Sequence, residues 1–180
     1  MIPILIHESD AIPGLTNKLS SFFAKKIYLS FSGAKNYFPK SKTEIVGNPI
    51  RSELLIGERD LISAKARLGF NNEKPLIFIL GGSQGSEKIN NFIINNLLEF
   101  LKIAQIFHQV GENNIKNVNS KIQNMLKKYP EFKEMYKFSG TLNLQMMKDV
   151  FIASDLVISR SGAGAIFEIA EFQKPSILIP

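Results

Sequence analysis

Short apolar runs alternate with amphipathic segments along the chain, and small or polar residues follow most of these runs. The clearest run covers residues 76–80, which are five consecutive apolar residues. A run of this kind is too short for a buried helix and fits a strand covered on both faces, as in a parallel sheet. The glycine-rich residues 81–86 follow at once. The pattern predicts a central strand that enters a tight turn.

A helix is predicted directly after this turn. Ser86 is a suitable N-cap residue, and Glu87 would lie in the electropositive first turn. The apolar positions that follow have roughly helical spacing, namely Ile89, Phe92, Ile93, Leu97, Leu98 and Leu101. Strand, turn and helix start would together direct free backbone N–H groups at an anion. A tight turn that binds nothing would give the same local pattern.

The same alternation continues to the end of the chain. Further strands are predicted over residues 104–110, 136–138, 156–159 and 176–179. Helices are predicted over residues 60–68, 115–129, 144–153 and 164–172. Five strands that alternate with helices predict an α/β fold with a doubly wound parallel sheet. A domain of this kind normally continues beyond its fifth strand, so we expect this one to be incomplete at its C-terminus.

The first 50 residues predict a smaller α/β segment. Strands are expected over residues 2–6, 27–31 and 44–46, and a helix between Pro13 and Ala24. Residues 47–51 have the sequence Gly-Asn-Pro-Ile-Arg, in which the proline fixes its own φ and keeps the preceding asparagine out of the α region. This stretch predicts a hinge, and we place a domain boundary there, between residues 1–50 and residues 51–180.

A second strand exit with small residues lies at residues 155–165. It predicts a second group of backbone N–H donors on the same edge of the sheet. Glu168 lies about one turn into the following helix, where its carboxylate could accept hydrogen bonds from a ribose diol or complement the helix dipole. Arg160 could balance phosphate charge, or it could pair with Asp155 or another carboxylate.

Composition narrows the chemistry. The chain has 180 residues, of which 44% are hydrophobic and 21% charged, as in an ordinary globular protein. There is no cysteine, and neither His7 nor His108 has a second histidine at ligand spacing, so no metal site is expected. The net charge of +6 comes from scattered lysines, which favours a solvated surface over nucleic-acid binding. No signal peptide or membrane span is expected.

Several well-known motifs are absent or incomplete. Residues 81–88 lack the Gly-Lys-Ser/Thr ending of a P-loop, and the glycine spacing does not complete a dinucleotide-binding fingerprint. Glu112 follows the second strand of the larger segment, where such folds can hold an NAD ribose. A non-catalytic nucleotide- or NAD-binding module therefore stays open as an alternative. His108, on an apolar strand, is expected to be a hydrogen-bonded core residue, and no Ser–His–acid set can be argued from spacing.

Four motifs, in this order along the chain, resemble the MurG family of bacterial N-acetylglucosaminyltransferases in glycosyltransferase family 28. They are HESD with PGLTNK at residues 7–18, GNPIR at 47–51, GGSQG at 81–85 and SRSGA at 159–163. The resemblance covers nearly the whole chain and implies a GT-B fold built from Rossmann-like domains. It makes residues 1–50 the C-terminal part of the acceptor domain and residues 51–180 most of the donor domain.

The resemblance also implies individual roles. The turn with Ser83 and Gln84 would contact the donor diphosphate, and Arg51 would add a charged contact from the hinge. Leu144 would meet the uracil through its backbone, and Glu168 would hold the ribose. Asp10 stands where some members have asparagine, and as a carboxylate it can only accept hydrogen bonds. The implied substrate-binding residues are Asp10, Asn17, Arg51, Ser83, Gln84, Leu144, Arg160, Ala163, Gly164, Ala165 and Glu168.

The implied reaction transfers N-acetylglucosamine, with inversion, from UDP-N-acetylglucosamine to the undecaprenyl-linked muramoyl-pentapeptide, which converts lipid I to lipid II in peptidoglycan synthesis. No cofactor or metal is implied, since helix starts and arginine would stabilise the departing diphosphate. The family acts peripherally at the cytoplasmic face of the inner membrane, with cell-wall synthesis proteins as further partners.

The family's glycine-rich segment with its histidine, the expected base, and its glutamine-containing loop have no counterpart in residues 1–180. The catalytic residue therefore stays unknown. We expect this chain to bind the donor weakly and to turn over little or nothing.

Overall fold

The computed structural model describes residues 2–82 and 84–180. By internal packing the chain divides after Ile50 into two compact units, here called the smaller unit and the larger unit. Each unit has its own parallel sheet. The α/β class predicted from the sequence is confirmed.

The smaller unit is a three-stranded sheet with one short α-helix. Its elements are β1 (Leu5–Glu8), α1 (Leu15–Ser20), β2 (Lys26–Leu29), two 3-10 helices (Ser32–Tyr37 and Lys40–Lys42) and β3 (Thr43–Ile45). The strands pair in the order β1-β2-β3, all parallel. A small buried core lies in this unit, formed by Ile6, Ala24, Ile27, Leu29, Ala34 and Phe38.

The larger unit is a five-stranded parallel sheet with helices between its strands. Its strands are β4 (Leu76–Leu80), β5 (Gln105–Gln109), β6 (Tyr136–Ser139), β7 (Leu156–Arg160) and β8 (Ser176–Ile179). Its α-helices are α2 (Leu61–Arg67), α3 (Glu87–Asn95), α4 (Leu97–Ile103), α5 (Ile115–Lys128), α6 (Leu144–Ala153) and α7 (Ala163–Glu171). The strand order β6-β5-β4-β7-β8 starts in the centre and winds outward in both directions, so the sheet is doubly wound.

The central strand β4 is covered on both faces, which explains its unbroken apolar sequence. All five of its residues are buried. Ile77 and Ile79 belong to the core beneath α3, α4 and α5. Phe78 faces the other layer, where its ring meets Phe151 of α6 edge-on at a centroid distance of 5.3 Å. The predicted central strand is therefore confirmed.

Three predicted boundaries are wrong, each for a local reason. The first strand begins at Leu5 rather than residue 2, and Pro3 has no N–H to contribute to a ladder. Helix α1 ends at Ser20, since the amides of Phe22 and Phe23 bond three residues back, as in a 3-10 turn. The helix predicted after Ser86 is split at Asn96, whose side chain donates to the carbonyl oxygen of Phe92 at 2.8 Å.

The buried histidine of β5 is hydrogen-bonded through both ring nitrogens. Nδ1 of His108 lies 2.9 Å from the hydroxyl of Tyr136, and Nε2 lies 3.0 Å from Oδ1 of Asn90. Because that amide oxygen can only accept, Nε2 carries the proton and Tyr136 donates to Nδ1. Burial lowers the pKa of His108 to about 3 and raises the pKa of Tyr136. The prediction that His108 is a hydrogen-bonded core residue is confirmed.

Among the described residues, no helix combines the length and the apolar character that a membrane span requires.

The buried His108 predicts a stability loss at acidic pH. Its folded pKa of about 3 lies below the ordinary value of 6.5, so the unfolded chain binds a proton that the folded chain does not. The free energy of unfolding should fall as pH drops from about 6.5 toward 3, by up to about 1.4 kcal/mol per pH unit. Urea denaturation between about pH 7 and pH 5 measures this slope, and a His108→Gln variant should show a shallower one. Equal slopes would contradict the assignment.

Candidate functional site

A cleft of about 460 Å³ lies at the carboxyl ends of β4 and β7 in the larger unit. These strands are neighbours in the sheet, with Leu80 opposite Ser159, so both strand exits open on the same edge. The cleft is lined by Gly81, Gly82, Gln84, Gly85, Ser159, Arg160, Ser161, Gly162, Gly164, Ala165 and Pro180. The two glycine-containing stretches singled out in the sequence thus line one site.

The turn after β4 owes its shape to glycine. Gly82 and Gly85 have φ values of +85° and +75°, which residues with a side chain rarely adopt. The N–H of Gly85 donates to the carbonyl oxygen of Gly82 at 3.0 Å and closes the turn. Ser86 then accepts from the N–H of Ile89 at 3.5 Å and caps α3, as predicted. The turn therefore delivers the chain directly into a helix start.

The turn also packs closely against the end of β5. A Cβ on Gly85 would overlap the carbonyl of Val110, and one on Gly111 would overlap the carbonyl of Gln84. The side-chain N–H₂ of Asn114 donates to the carbonyl oxygens of Val110 at 2.8 Å and Gln84 at 3.3 Å. Neither Gly111 nor Asn114 was named in the sequence analysis. The one sequence feature that could have pointed to this contact was Gly111, a glycine directly after a predicted strand.

Helix α7 presents free backbone donors to the same cleft. Gly162 is its N-cap residue and supplies no side-chain acceptor. The N–H groups of the first helical residues, Ala163 to Ala165, have no intrahelical partner. A helix start of this kind attracts anions, because its dipole is positive there. The cleft therefore offers main-chain donors from α7 beside the glycine turn.

Arg160 supplies the only positive side chain among the described residues that line the cleft. It lies at the end of β7 and is exposed. The alternative that Arg160 pairs with Asp155 or another carboxylate is wrong for the described residues, none of which forms an ion pair with it. Asp155 accepts instead from the amide of Leu76 at 2.8 Å and from Nζ of Lys65 at 3.4 Å. Arg160 therefore keeps its charge available to the cleft.

Glu168 and Arg51 form an ion pair in the larger unit. Both Nε and Nη2 of Arg51 donate to the same oxygen, Oε1 of Glu168, at 3.1 and 2.8 Å. Glu168 is the sixth residue of α7 and therefore lies beyond the first turn, so the helix-dipole explanation for this carboxylate is wrong. It stands four residues after Gly164, which places it on the helix face that borders the cleft.

The remaining predicted residues are distributed around this edge and in the smaller unit. Gln84, Gly164 and Ala165 line the cleft, whereas Ala163 does not. Leu144 begins α6 at the carboxyl end of β6, two strands from β4, and lies outside the cleft lining. Ser83 lies outside the described residues. Glu112, the ribose candidate of the NAD alternative, is in a 3-10 helix after β5 and does not line the cleft.

In the smaller unit, a buried carboxylate organises the first motif. Glu8 is only 2% exposed and accepts from the backbone N–H of Asp10 at 2.9 Å and from the side-chain amide of Asn17 at 3.0 Å. Asn17 also donates to the carbonyl oxygen of His7 at 3.3 Å. The structure thus brings Asp10 and Asn17 together through Glu8, a residue that the sequence analysis quoted only as part of its motif.

Within the described part of the chain, no group of three or more His, Cys, Asp and Glu side chains could hold a metal ion.

Comparison with known proteins decides the family. Residues 76–180 match the model described as the glycosyltransferase family 28 C-terminal domain. The chain belongs to glycosyltransferase family 28. These matched residues contain the whole cleft described above.

Curated relatives are similar to this chain over nearly all of its length. It is 41% identical over 179 residues to "UDP-N-acetylglucosamine--N-acetylmuramyl-(pentapeptide) pyrophosphoryl-undecaprenol N-acetylglucosamine transferase 2" of Bacillus cereus, covering 99% of this chain and 47% of that protein. The transferase of that name without the numeral, from Oceanobacillus iheyensis, is also 41% identical, with 99% and 46% covered. The chain therefore spans about half the length of the curated relatives it matches.

Solved structures confirm the fold of this family 28 chain. MurG of Acinetobacter baumannii has a TM-score of 0.63 at 24% identity, covering 99% of this chain and 46% of that one. Anabaena Alr3699/HepE in complex with UDP has a TM-score of 0.63 at 16% identity, covering 98% and 53%. The GT-B type of α/β fold predicted from the sequence is confirmed.

The close packing behind the glycine turn predicts opposite responses at two glycines. Gly85→Ala should lower the free energy of unfolding by about 1–3 kcal/mol, since it adds left-handed strain and an overlap with Val110. Gly164→Ala is the matched control. Open space surrounds its Cβ position, and alanine favours a helix, so stability should stay equal or rise by up to about 1 kcal/mol. Urea denaturation followed by circular dichroism compares the two, and equal losses would contradict the packing argument.

Proposed function

We propose that the larger unit binds UDP-N-acetylglucosamine in the cleft at the ends of β4 and β7. The observation that carries this proposal is the convergence of the glycine turn, the start of α7 and Arg160 on one site. Backbone N–H groups and one arginine suit a diphosphate, which is doubly charged and rich in acceptors. The printed names of the relatives, which are N-acetylglucosamine transferases, support the choice of nucleotide sugar.

The reaction we propose is transfer of N-acetylglucosamine, with inversion, to the undecaprenyl-linked muramoyl-pentapeptide, the lipid I to lipid II step of peptidoglycan synthesis. Charge builds up on UDP as it departs. Donors that are already in place at the turn, at Ala163 to Ala165 and on Arg160 would stabilise that charge. In this assignment Ser83 and Gln84 contact the diphosphate. The group that activates the acceptor hydroxyl is not among the residues assigned here.

The ribose is assigned to Glu168. Arg51 occupies Oε1 of this carboxylate and leaves Oε2 able to accept from a diol. The ion pair therefore holds the carboxylate in place and leaves one of its oxygens open to the ribose hydroxyls.

The uracil is assigned to the backbone at Leu144. The N–H of this residue opens α6 and has no intrahelical acceptor, while the Asn143 side chain caps Met146 instead. The start of α6 follows β6, which lies two strand spacings, about 10 Å, from β4 along the same sheet edge. A nucleotide laid along this edge would place its base there.

The smaller unit is assigned to the lipid acceptor, with Asp10 and Asn17 as substrate contacts. We place the protein peripherally at the cytoplasmic face of the bacterial inner membrane, with cell-wall synthesis proteins as partners. Phe22 and Phe23 are 77% and 78% exposed, and Lys25 and Lys26 follow them. Aromatic side chains next to lysines suit an anionic lipid surface.

Donor binding is tested by titrating the chain with UDP and following backbone amide signals by NMR. We expect shifts at Gly82, Gln84 and residues 162–165. Arg160→Gln should weaken UDP binding by about 3- to 30-fold, because a charge-assisted contact is lost. Lys127→Gln, at the far end of α5, changes the same charge and should leave affinity unaltered. No UDP-dependent shift at these amides would refute the site, as would equal weakening by both variants.

Transfer is tested with labelled UDP-N-acetylglucosamine and a short-chain lipid acceptor. This chain should bind the donor and give little or no labelled lipid product, because no catalytic base is assigned within it. Clear turnover would show that the base lies among residues 1–180. Donor binding with no turnover, even after a family N-terminal segment is supplied in trans, would favour the alternative of a non-catalytic nucleotide-binding module.

A further inference from the structure

The carbonyl oxygen of Val110 is held by two side-chain amides. Nδ2 of Asn90, on α3, donates to it at 2.9 Å, and Nδ2 of Asn114 donates at 2.8 Å. A carbonyl oxygen has two lone pairs, so both of its acceptor positions are filled. Val110 itself is fully buried. Its peptide is therefore fixed by side chains at a point just beyond the last paired residue of β5.

These side chains replace a missing strand partner. At this edge of the sheet, the last backbone hydrogen bond between the segments of β4 and β5 runs from the N–H of Gly81 to the carbonyl oxygen of Gln109, at 3.3 Å. Beyond this bond, the segment that follows β4 leaves the sheet and enters the glycine turn. The next carbonyl, that of Val110, would be buried without a donor if Asn90 and Asn114 did not supply one.

The glycine turn rests directly on this carbonyl. Gly85 approaches it so closely that no side chain fits between them, and Gly111 makes the reciprocal approach to Gln84. Asn114 bridges the two segments, since its amide also reaches the carbonyl oxygen of Gln84 at 3.3 Å. The position of the turn therefore follows the position of the Val110 peptide.

The hydrogen bond to His108 fixes the orientation of the Asn90 side-chain amide. Its Nδ2 faces Val110, so its Oδ1 must accept from Nε2 of His108. Tyr136 donates to the other ring nitrogen of that histidine at 2.9 Å. Asn90 and His108 are both buried, and none of the four residues Asn90, His108, Asn114 and Val110 lines the cleft. These side chains can affect a ligand only through the turn.

We propose that Asn90 and Asn114 are positioning residues for the described part of the ligand-binding turn, residues 81, 82 and 84–86, and that His108 holds Asn90 in the working orientation. This inference rests on the proposed function, because it takes the ligand of the turn to be a nucleoside diphosphate. Asn90 and Asn114 would fix the directions of the N–H groups in the described part of the turn before the ligand binds. Preorganised donors bind a diphosphate more tightly than donors that must first be ordered.

The test is Asn114→Ala, because this side chain is only half-buried and its loss should leave the fold intact. Hydrogen exchange at the amide of Gly85, which donates to Gly82 inside the turn, should accelerate by about 5- to 10-fold relative to the amides of β4, as expected when one or two hydrogen bonds are lost. The dissociation constant for UDP, measured by calorimetry, should rise by about the same factor. Asn114→Asp keeps the shape but cannot donate, so it should disturb the turn at least as much.

Two variants separate positioning from general stability. Asn119→Ala removes an exposed asparagine from α5, the helix that begins directly after Asn114, and should change neither readout. Tyr136→Phe should lower global stability without changing exchange at the turn relative to β4, because Asn90 still pairs with His108. Acceleration of the turn in Tyr136→Phe equal to that in Asn114→Ala would overturn the positioning role.

The two proposals fail in different ways. Unchanged turn exchange in Asn114→Ala would overturn the positioning role even if UDP binds to the unaltered chain. Failure of the unaltered chain to bind UDP would overturn the proposed ligand, and with it the link between the turn and a diphosphate. Faster turn exchange together with weaker UDP binding supports both.

Discussion

The parallel pairing of β4 with β7 determines where the chemistry of this chain lies. Parallel strands point their carboxyl ends the same way, so the turns that follow them open on one edge of the sheet. Leu80 stands opposite Ser159, and the glycine turn and the start of α7 therefore border a common cleft. Every donor assigned to the diphosphate depends on this register. The strand order also places β6 and the start of α6 farther along the same edge.

Local rules predicted the parts of the fold that short sequence segments determine. The five apolar residues of β4 required cover on both faces, and Ser86 caps the helix that follows it, as its residue type suggested. The face of α3 was harder, because the apolar pattern favoured Phe92. In the structure Phe92 is exposed and Asn90 is buried. A buried asparagine cannot be recognised from helical periodicity when its partners, His108 and Val110, lie in and just after the strand β5.

In the candidate site too, features set by short sequence segments could be predicted, and contacts between distant residues could not. Gln84, Arg160, Gly164 and Ala165 could be placed because each lies at the end of an apolar strand or a few residues beyond it. The pairing of Arg51 with Glu168 spans 117 residues, and no spacing rule reports a contact of that kind. The carboxylate of Glu8 was hidden for a related reason. It was predicted to follow the first strand, whereas it is the last residue of β1, and only the folded chain shows that Asp10 and Asn17 donate to it.

The glycines on the two sides of the cleft differ in the space around them. The turn after β4 leaves little freedom for a side chain, whereas the start of α7 leaves room for one. Behind Gly81 and Gly85 the backbone of neighbouring residues leaves no room, and Gly82 has room but a φ of +85° that disfavours any side chain. Gly162 and Gly164 face empty space. Substitutions intended to change ligand preference should therefore be made at the start of α7. Side chains introduced from the α7 wall could enlarge, shrink or recharge the binding volume. The opposite wall would tolerate almost no change, and natural variation in specificity among related chains should concentrate on the permissive side.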